Sequence, residues 1–154
     1  ALDAPGAASS SSSNQAAYLL EEVISDDVPF IKYIHNGKAV PVPKENEEDY
    51  EVAVFLCFIQ HVQYVATHGQ VFISDFQGAG NLLTDPQVMT HPELIDPSST
   101  FDHSLFGEGN VDSAFLSFVD QHECNEYCDF LNLPPVWEVV AVESEVKEQK
   151  KKGK

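Results

Sequence analysis

The chain has 154 residues, 43% of them apolar, and a formal net charge of -17 at pH 7. That is one domain's worth of sequence with enough apolar content for a core, and no second independent domain is expected. Residues 1–146 hold three Lys against 24 acids, residues 147–154 hold five Lys and one Glu, and Arg is absent; so acidic a body excludes nucleic acid as the main partner, because Lys and Arg neutralise phosphate backbones.

Residues 1–16 are rich in Ala, Ser and Gly, with an unbroken run from Ser9 to Ser13, and read as a flexible leader with too little apolar surface to order itself. The chain starts at Ala1 and its single Met is Met89, which suits a processed product or a piece of something longer; no signal peptide is recognised. Tyr18–Ile24 reads as a strand entering the domain. Phe30–Ile34, the Asn36-Gly37 turn and Ala39–Val42 predict a hairpin, restricted to an edge by Pro41 and Pro43.

Acids from Glu45 to Glu51 lead into Val52–Ala66, with Gly69 just beyond, and predict a largely buried helix. This least charged stretch contains Gln60, His61, Gln63 and His68, so no membrane span is expected. Val71–Ser74 reads as a buried strand that delivers carboxylates to a loop over residues 75–86. Residues 87–112 look irregular and include a glycine-bearing loop, Phe106–Asn110. Apolar residues at 115, 116, 118, 119, 127, 130 and 131 predict one helix from Asp112 or Ser113 to Leu131, stopped by Asn132 and Pro134-Pro135. From Trp137 a short strand and then a charged, mobile tail over residues 137–154 are expected.

Two constellations carry chemistry. Asp75 stands where the strand runs out, Gly78 and Gly80 permit a tight path, and Asp85 precedes Pro86. Asp75, Gln77 and Asp85 could therefore converge as oxygen ligands for a hard cation such as Mg²⁺, which implies phosphoryl transfer. The alternative is that these residues only form turns.

The second is His122-Glu123-Cys124-Asn125-Glu126-Tyr127-Cys128. It sets two thiols at i and i+4 of the expected helix with an imidazole ahead of them, a donor mix that favours Zn²⁺. A closed site wants a fourth ligand. His61 is the candidate, with His91 and His103 as rivals, against the alternative that the cysteines are small buried hydrophobes. Three cysteines make no disulfide framework and point to a reducing compartment, so a soluble, cytoplasmic protein is expected.

From about Tyr18 to Pro135 the chain resembles the alpha-kinases, the atypical protein kinases that include myosin heavy chain kinase and elongation factor 2 kinase. The segment from Asp75-Phe76-Gln77-Gly78-Ala79-Gly80 to Leu83-Thr84-Asp85-Pro86 is similar to the family's D-L-Q-G-x-G…L-T-D-P run. The ending His122-x-Cys124-Asn125-x-x-Cys128 also follows the family's order and spacing. The resemblance implies an α+β fold, with zinc-stabilised helices packed on a small sheet as in a protein-kinase carboxy-terminal lobe. It further implies a catalytic or phosphate-facing role for Asp75, Mg²⁺ held by Gln77 and Asp85, and Zn²⁺ held by His61, His122, Cys124 and Cys128. In Leu20–Ile24 it implies a hinge where Glu21, Glu22 and Ile24 meet the adenine of ATP. Residues 106–110 resemble a glycine-rich loop near the protein substrate, although Val111-Asp112 replaces the usual Leu-Gly.

The expected unit is thus residues 17–136, the hinge and carboxy-terminal lobe of an alpha-kinase domain. Nothing in residues 1–17 supplies the amino-terminal lobe's phosphate-contacting Lys. The function implied is a protein serine/threonine kinase acting on a protein substrate with ATP and Mg²⁺. The alternative is a non-catalytic, zinc-stabilised pseudokinase module whose acidic surface recruits a basic partner.

Overall fold

A computed structural model describes residues 20–94 and 109–139. The expected leader, most of the tail, His103 and residues 106–108 of the glycine-bearing loop lie outside them. Among the described residues no helix is long and apolar enough to cross a membrane.

The longest element is helix α1, Tyr50–Ala66, and it buries Ala53, Leu56, Cys57, Gln60, His61 and Tyr64. The acids from Glu45 to Asp49 form turns ahead of it, where the Lys44 amide donates to the Glu47 carboxylate at 2.8 Å. The helix ends because His68 and Gly69 are left-handed, with φ 54° and 75°, and the Gly69 amide bonds back to the Tyr64 carbonyl at 2.7 Å. Thr67 guides the exit: its hydroxyl donates to the Val71 carbonyl at 2.8 Å and accepts from the Val71 amide at 3.0 Å.

Strand β2, Val71–Ser74, pairs antiparallel with β5, Gln87–Thr90, in the register Phe72↔Met89. A two-stranded ribbon leaves outer edges whose amides and carbonyls need partners once buried. Helix α1 supplies them on the β2 side. Gln63 Oε1 accepts from the Ile73 amide at 2.8 Å, and Gln60 Nε2 donates to the Ile73 carbonyl at 3.0 Å.

A second sheet has the order β1-β3-β4, from Ile31–Lys32, Gln77–Ala79 and Leu82–Thr84. The β3–β4 turn is Gly80-Asn81, with Gly80 at φ 58°. At Gly78 a Cβ would lie 1.9 Å from the Leu82 carbonyl oxygen, so only glycine lets the two strands close.

Helices α2 (Asp112–Leu116), α3 (Phe118–Gln121) and α4 (Glu126–Phe130) follow. The main core gathers Tyr64, Phe72, Met89, Phe115, Phe118 and Val136. Phe72 stacks on Phe118 and Phe115 with ring centroids 4.4 and 5.1 Å apart, and truncating so buried a ring costs about 3–5 kcal/mol. A neighbouring cluster joins Tyr33, Ile34, Ala53, Leu56, Cys57 and Phe76.

Several expectations are corrected. Residues 20–24 are irregular, and Leu20 and Val23 are 92% and 88% exposed; among the described residues no strand offers that segment a ladder. Ala39–Val42 forms no strand, since Pro41 and Pro43 lack amide donors. It keeps one bond, from the Val42 amide to the Tyr33 carbonyl at 2.8 Å, while the Tyr33 and Ile34 amides both donate to the Phe76 carbonyl. The Asn36-Gly37 turn is present, with Gly37 at φ 68°. Residues 77–79 and 82–84 form strands inside the expected loop, and 87–90 form a strand in the expected irregular stretch. The single helix over 112–131 is three short ones. Residues 136–139 are helical rather than extended.

Candidate functional site

The strand ends assemble the first group. Register pairs Lys32 with Gln77, and the Lys32 ammonium reaches Gln77 Oε1 at 2.8 Å and Asp75 Oδ1 at 2.6 Å. Gln77 Nε2 in turn donates to Asp85 Oδ2 at 3.5 Å. Asp75, Gln77 and Asp85 thus converge, as the local spacing suggests. Asp75 and Asp85 have φ of 62° and 48°, a left-handed backbone that costs a non-glycine residue on the order of 1 kcal/mol and concentrates at functional sites. Each sits where a strand stops; Asp85 is exposed, and Asp75 is half-buried against Lys32.

Glu21 accepts a hydrogen bond from the Thr84 hydroxyl, one residue before Asp85. That contact brings the expected hinge to the acidic group. Glu22 is exposed and Ile24 half-buried on the same segment; neither has a hydrogen bond or ion pair to the group among the described residues.

Sequence reasoning missed Lys32. Its signal is a lone cation inside the apolar run Phe30–Ile34 of a chain that has no Arg. Only the β1–β3 register shows which carboxylate it meets.

The second group joins α1 to residues 122–128. His61, His122, Cys124 and Cys128 bring one ligand atom each within 4.8 Å of one another. His61 Nδ1 is 3.1 Å from His122 Nε2, 3.4 Å from Cys128 Sγ and 3.9 Å from Cys124 Sγ. Tetrahedral Zn²⁺ with Zn–N near 2.0 Å and Zn–S near 2.3 Å needs ligand separations of roughly 3.3–3.8 Å, so the donor set fits. His61 Nε2 donates to the Pro134 carbonyl at 2.9 Å, leaving the Nδ1 lone pair for a metal. Burial lowers the pKa of His61, opposed by that carbonyl. Burial first, and then His61, pushes His122 down to about 4. Both imidazoles are therefore neutral at pH 7, the state that ligates. Burial raises the Cys128 thiol, a bias that a bound cation reverses by stabilising the thiolate.

The thiols do not share a helix face, contrary to expectation. Residues 122–125 leave the helix, because Asn125 is extended (φ -123°, ψ -179°) and its side chain caps α4 by accepting from the Tyr127 and Cys128 amides. Asn125 Nδ2 also donates to the Val54 carbonyl of α1 at 3.1 Å. The break folds His122 and Cys124 back toward Cys128. Of the rival ligands, His91 is engaged elsewhere: its Nδ1 accepts from the Glu93 amide at 3.1 Å, and its ring packs on Phe115. Cys57 stands outside the ligand group and is buried as a small hydrophobe, its thiol pushed up to about 12 by burial and then by Cys128.

Comparison with known proteins gives a family. The profile described as "Alpha-kinase family" matches residues 6–128. Alpha-protein kinase 2 of Danio rerio is 31% identical over 122 residues, covering 76% of this chain and 5% of that protein. Myosin heavy chain kinase C of Dictyostelium discoideum is 35% identical over 77 residues, covering 49% of this chain and 9% of that protein. Among solved structures, a C-terminal truncated alpha-kinase domain of myosin heavy chain kinase superposes with a TM-score of 0.50 at 26% identity, over 73% of this chain and 37% of that one. The chain thus spans a small part of these relatives and just over a third of the solved domain. With the profile running through both the Asp75–Asp85 segment and the His122–Cys128 ending, this α+β chain belongs to the alpha-kinase family.

Proposed function

We propose that this chain carries the carboxy-terminal lobe of a protein serine/threonine kinase domain that transfers the γ-phosphate of ATP to a protein substrate. The observation that carries the reading is the continuous polar chain Asp75–Lys32–Gln77–Asp85, made at strand ends in a member of the alpha-kinase family. In this reading the Asp75 carboxylate faces the transferring phosphate and takes the proton of the acceptor hydroxyl, and Lys32 holds that carboxylate in place. Asp85 offers its carboxylate to Mg²⁺, and Gln77, whose Oε1 here meets Lys32 and whose Nε2 meets Asp85, would offer its oxygen once its amide turns over; the ion when bound would neutralise charge on the phosphates. Glu21, Glu22 and Ile24 contribute to the adenine end, on the support that Glu21 is tied to Thr84 beside Asp85. His61, His122, Cys124 and Cys128 hold a structural Zn²⁺ that ties α1 to α4. The free thiols of Cys57, Cys124 and Cys128 suit a reducing compartment, and the reading includes a cytoplasmic location.

Calorimetric titration of Mg-ATP into the zinc-loaded protein, with Asp85→Ala as control, tests it. Binding that depends on Asp85, together with phosphate transfer to a serine- or threonine-containing protein, is the expected result. A folded kinase domain, amino-terminal lobe included, that neither binds nor transfers refutes it.

A further inference from the structure

Helix α1 is apolar on both faces. One face fills the core. The other presents Val52, Phe55, Ile59, Val62 and Ala66, a 3-4-3-4 spacing that runs the length of the helix. Val52 and Phe55 are 44% and 42% exposed, Val62 is half-buried and Ala66 exposed, while Ile59, also half-buried, borders the core where it packs against the cluster of Tyr33, Ile34 and Phe76. A helix apolar all round is normally covered all round, and this spacing is the one that seats a second helix at a shallow crossing angle.

The apolar surface continues onto α4. Phe55 packs edge-on against Tyr127 with ring centroids 5.3 Å apart. Beyond Tyr127, Phe130 and Leu131 are 82% and 50% exposed. Charge decides the occupant. Exposed acids flank these residues in the chain: Glu48 just before α1, Glu51 one turn ahead of Phe55, and Glu126 and Asp129 on either side of Tyr127 in α4. A second copy carrying -17 would bring like charges together, and an anionic lipid surface would be repelled as well.

We propose that the outer face of α1, extended by Phe130 and Leu131, docks a basic amphipathic helix of a partner protein. Its apolar stripe lies along Val52–Ala66, and its Lys or Arg residues lie against Glu48, Glu51, Glu126 and Asp129.

The test uses the zinc-loaded protein and a fluorescein-labelled peptide of roughly 18 residues made of Leu and Lys, with Leu at helical spacing, against a scrambled peptide of the same composition. Anisotropy is read at physiological salt, where exposed charge alone is largely screened. The patterned peptide is expected to bind at least about tenfold tighter than the scrambled one. That margin is expected to disappear in Phe55→Asp and in Val52→Lys, each checked for native circular dichroism. Equal binding of the two peptides, or a margin that survives both variants, overturns the proposal. So does sedimentation showing a dimer that Phe55→Asp dissolves, which makes a second copy the occupant. Peptide binding tightened about tenfold by deleting residues 147–154 makes the chain's own Lys-rich tail the occupant and overturns it too.

Discussion

Lys32, from a two-residue strand, and Asp75, at the end of β2, meet at 2.6 Å with side chains 26% and 21% exposed. Neither β1 nor β2 brings them together directly, because the two strands lie in different sheets. The link is β3, which follows Asp75 in the chain and pairs with β1. A part-buried ion pair of this kind contributes on the order of 1 kcal/mol to stability. Its consequence is positional: one cation holds Asp75 and Gln77 in a single geometry.

Replacing Lys32 by Met is therefore expected to leave the melting temperature within a few degrees, a change of about 1 kcal/mol or less. Phosphate transfer is expected to fall by on the order of 100-fold or more, as when a preorganised charged group is lost. Thermal denaturation and a transfer assay on the same preparation check both. A large loss of stability with activity retained per folded molecule would sink the positional reading.

At Asp85 the backbone and the carboxylate make opposite demands. With φ at 48°, glycine relieves strain there while giving up some entropy, so Asp85→Gly is expected to be as stable as the native chain within about 1 kcal/mol. The carboxylate is gone, so Mg-ATP binding and transfer are expected to be lost. Denaturant titration beside calorimetry separates the two effects.

Metal removal is expected to act on the fold. One Zn²⁺ per chain should appear in native mass spectrometry, and a strong chelator should cost several kcal/mol and release α3 and α4, since site formation and folding are coupled. Cys128→Ser and His61→Ala should reproduce that loss. A chain purified under reducing conditions without zinc, yet equally stable, would return the four residues to the status of a packed polar cluster.

Asn125 offers a subtler probe, because its two ends do different work. Asn125→Ala loses the α4 cap and the tie to Val54, for about 1–2 kcal/mol. Zinc affinity is expected to fall by roughly 10- to 100-fold, as when an outer support of a metal site is removed. Asn125→Asp keeps the accepting oxygen and should retain most of the stability while losing the bond to Val54. Competition with a chelating dye measures the affinity.

Much of this molecule is legible without coordinates where a signal is local. Helix α1 is announced by its length, its preceding acids and Gly69, and β2 by its short apolar run. The residue types between Asp75 and Asp85 and between His122 and Cys128 state their chemistry directly. What was misread depends on partners distant in sequence. Strands β3, β4 and β5 are too short to declare themselves and exist because they pair with one another, with β1 or with β2. Residues 20–24 carry strand-like composition and stay irregular because no ladder among the described residues reaches them. The spacing over 112–131 looks like one helix, and the break at 122–125 follows from Asn125 capping α4 and bonding to Val54. Sequence alone determined which donors this chain possesses, since composition and local periodicity are properties of neighbours. Tertiary structure alone decided that Lys32 joins Asp75 and that His61 meets the two thiols, because closing those loops becomes favourable only when sheet pairing and core burial offset the entropy of bringing distant residues together.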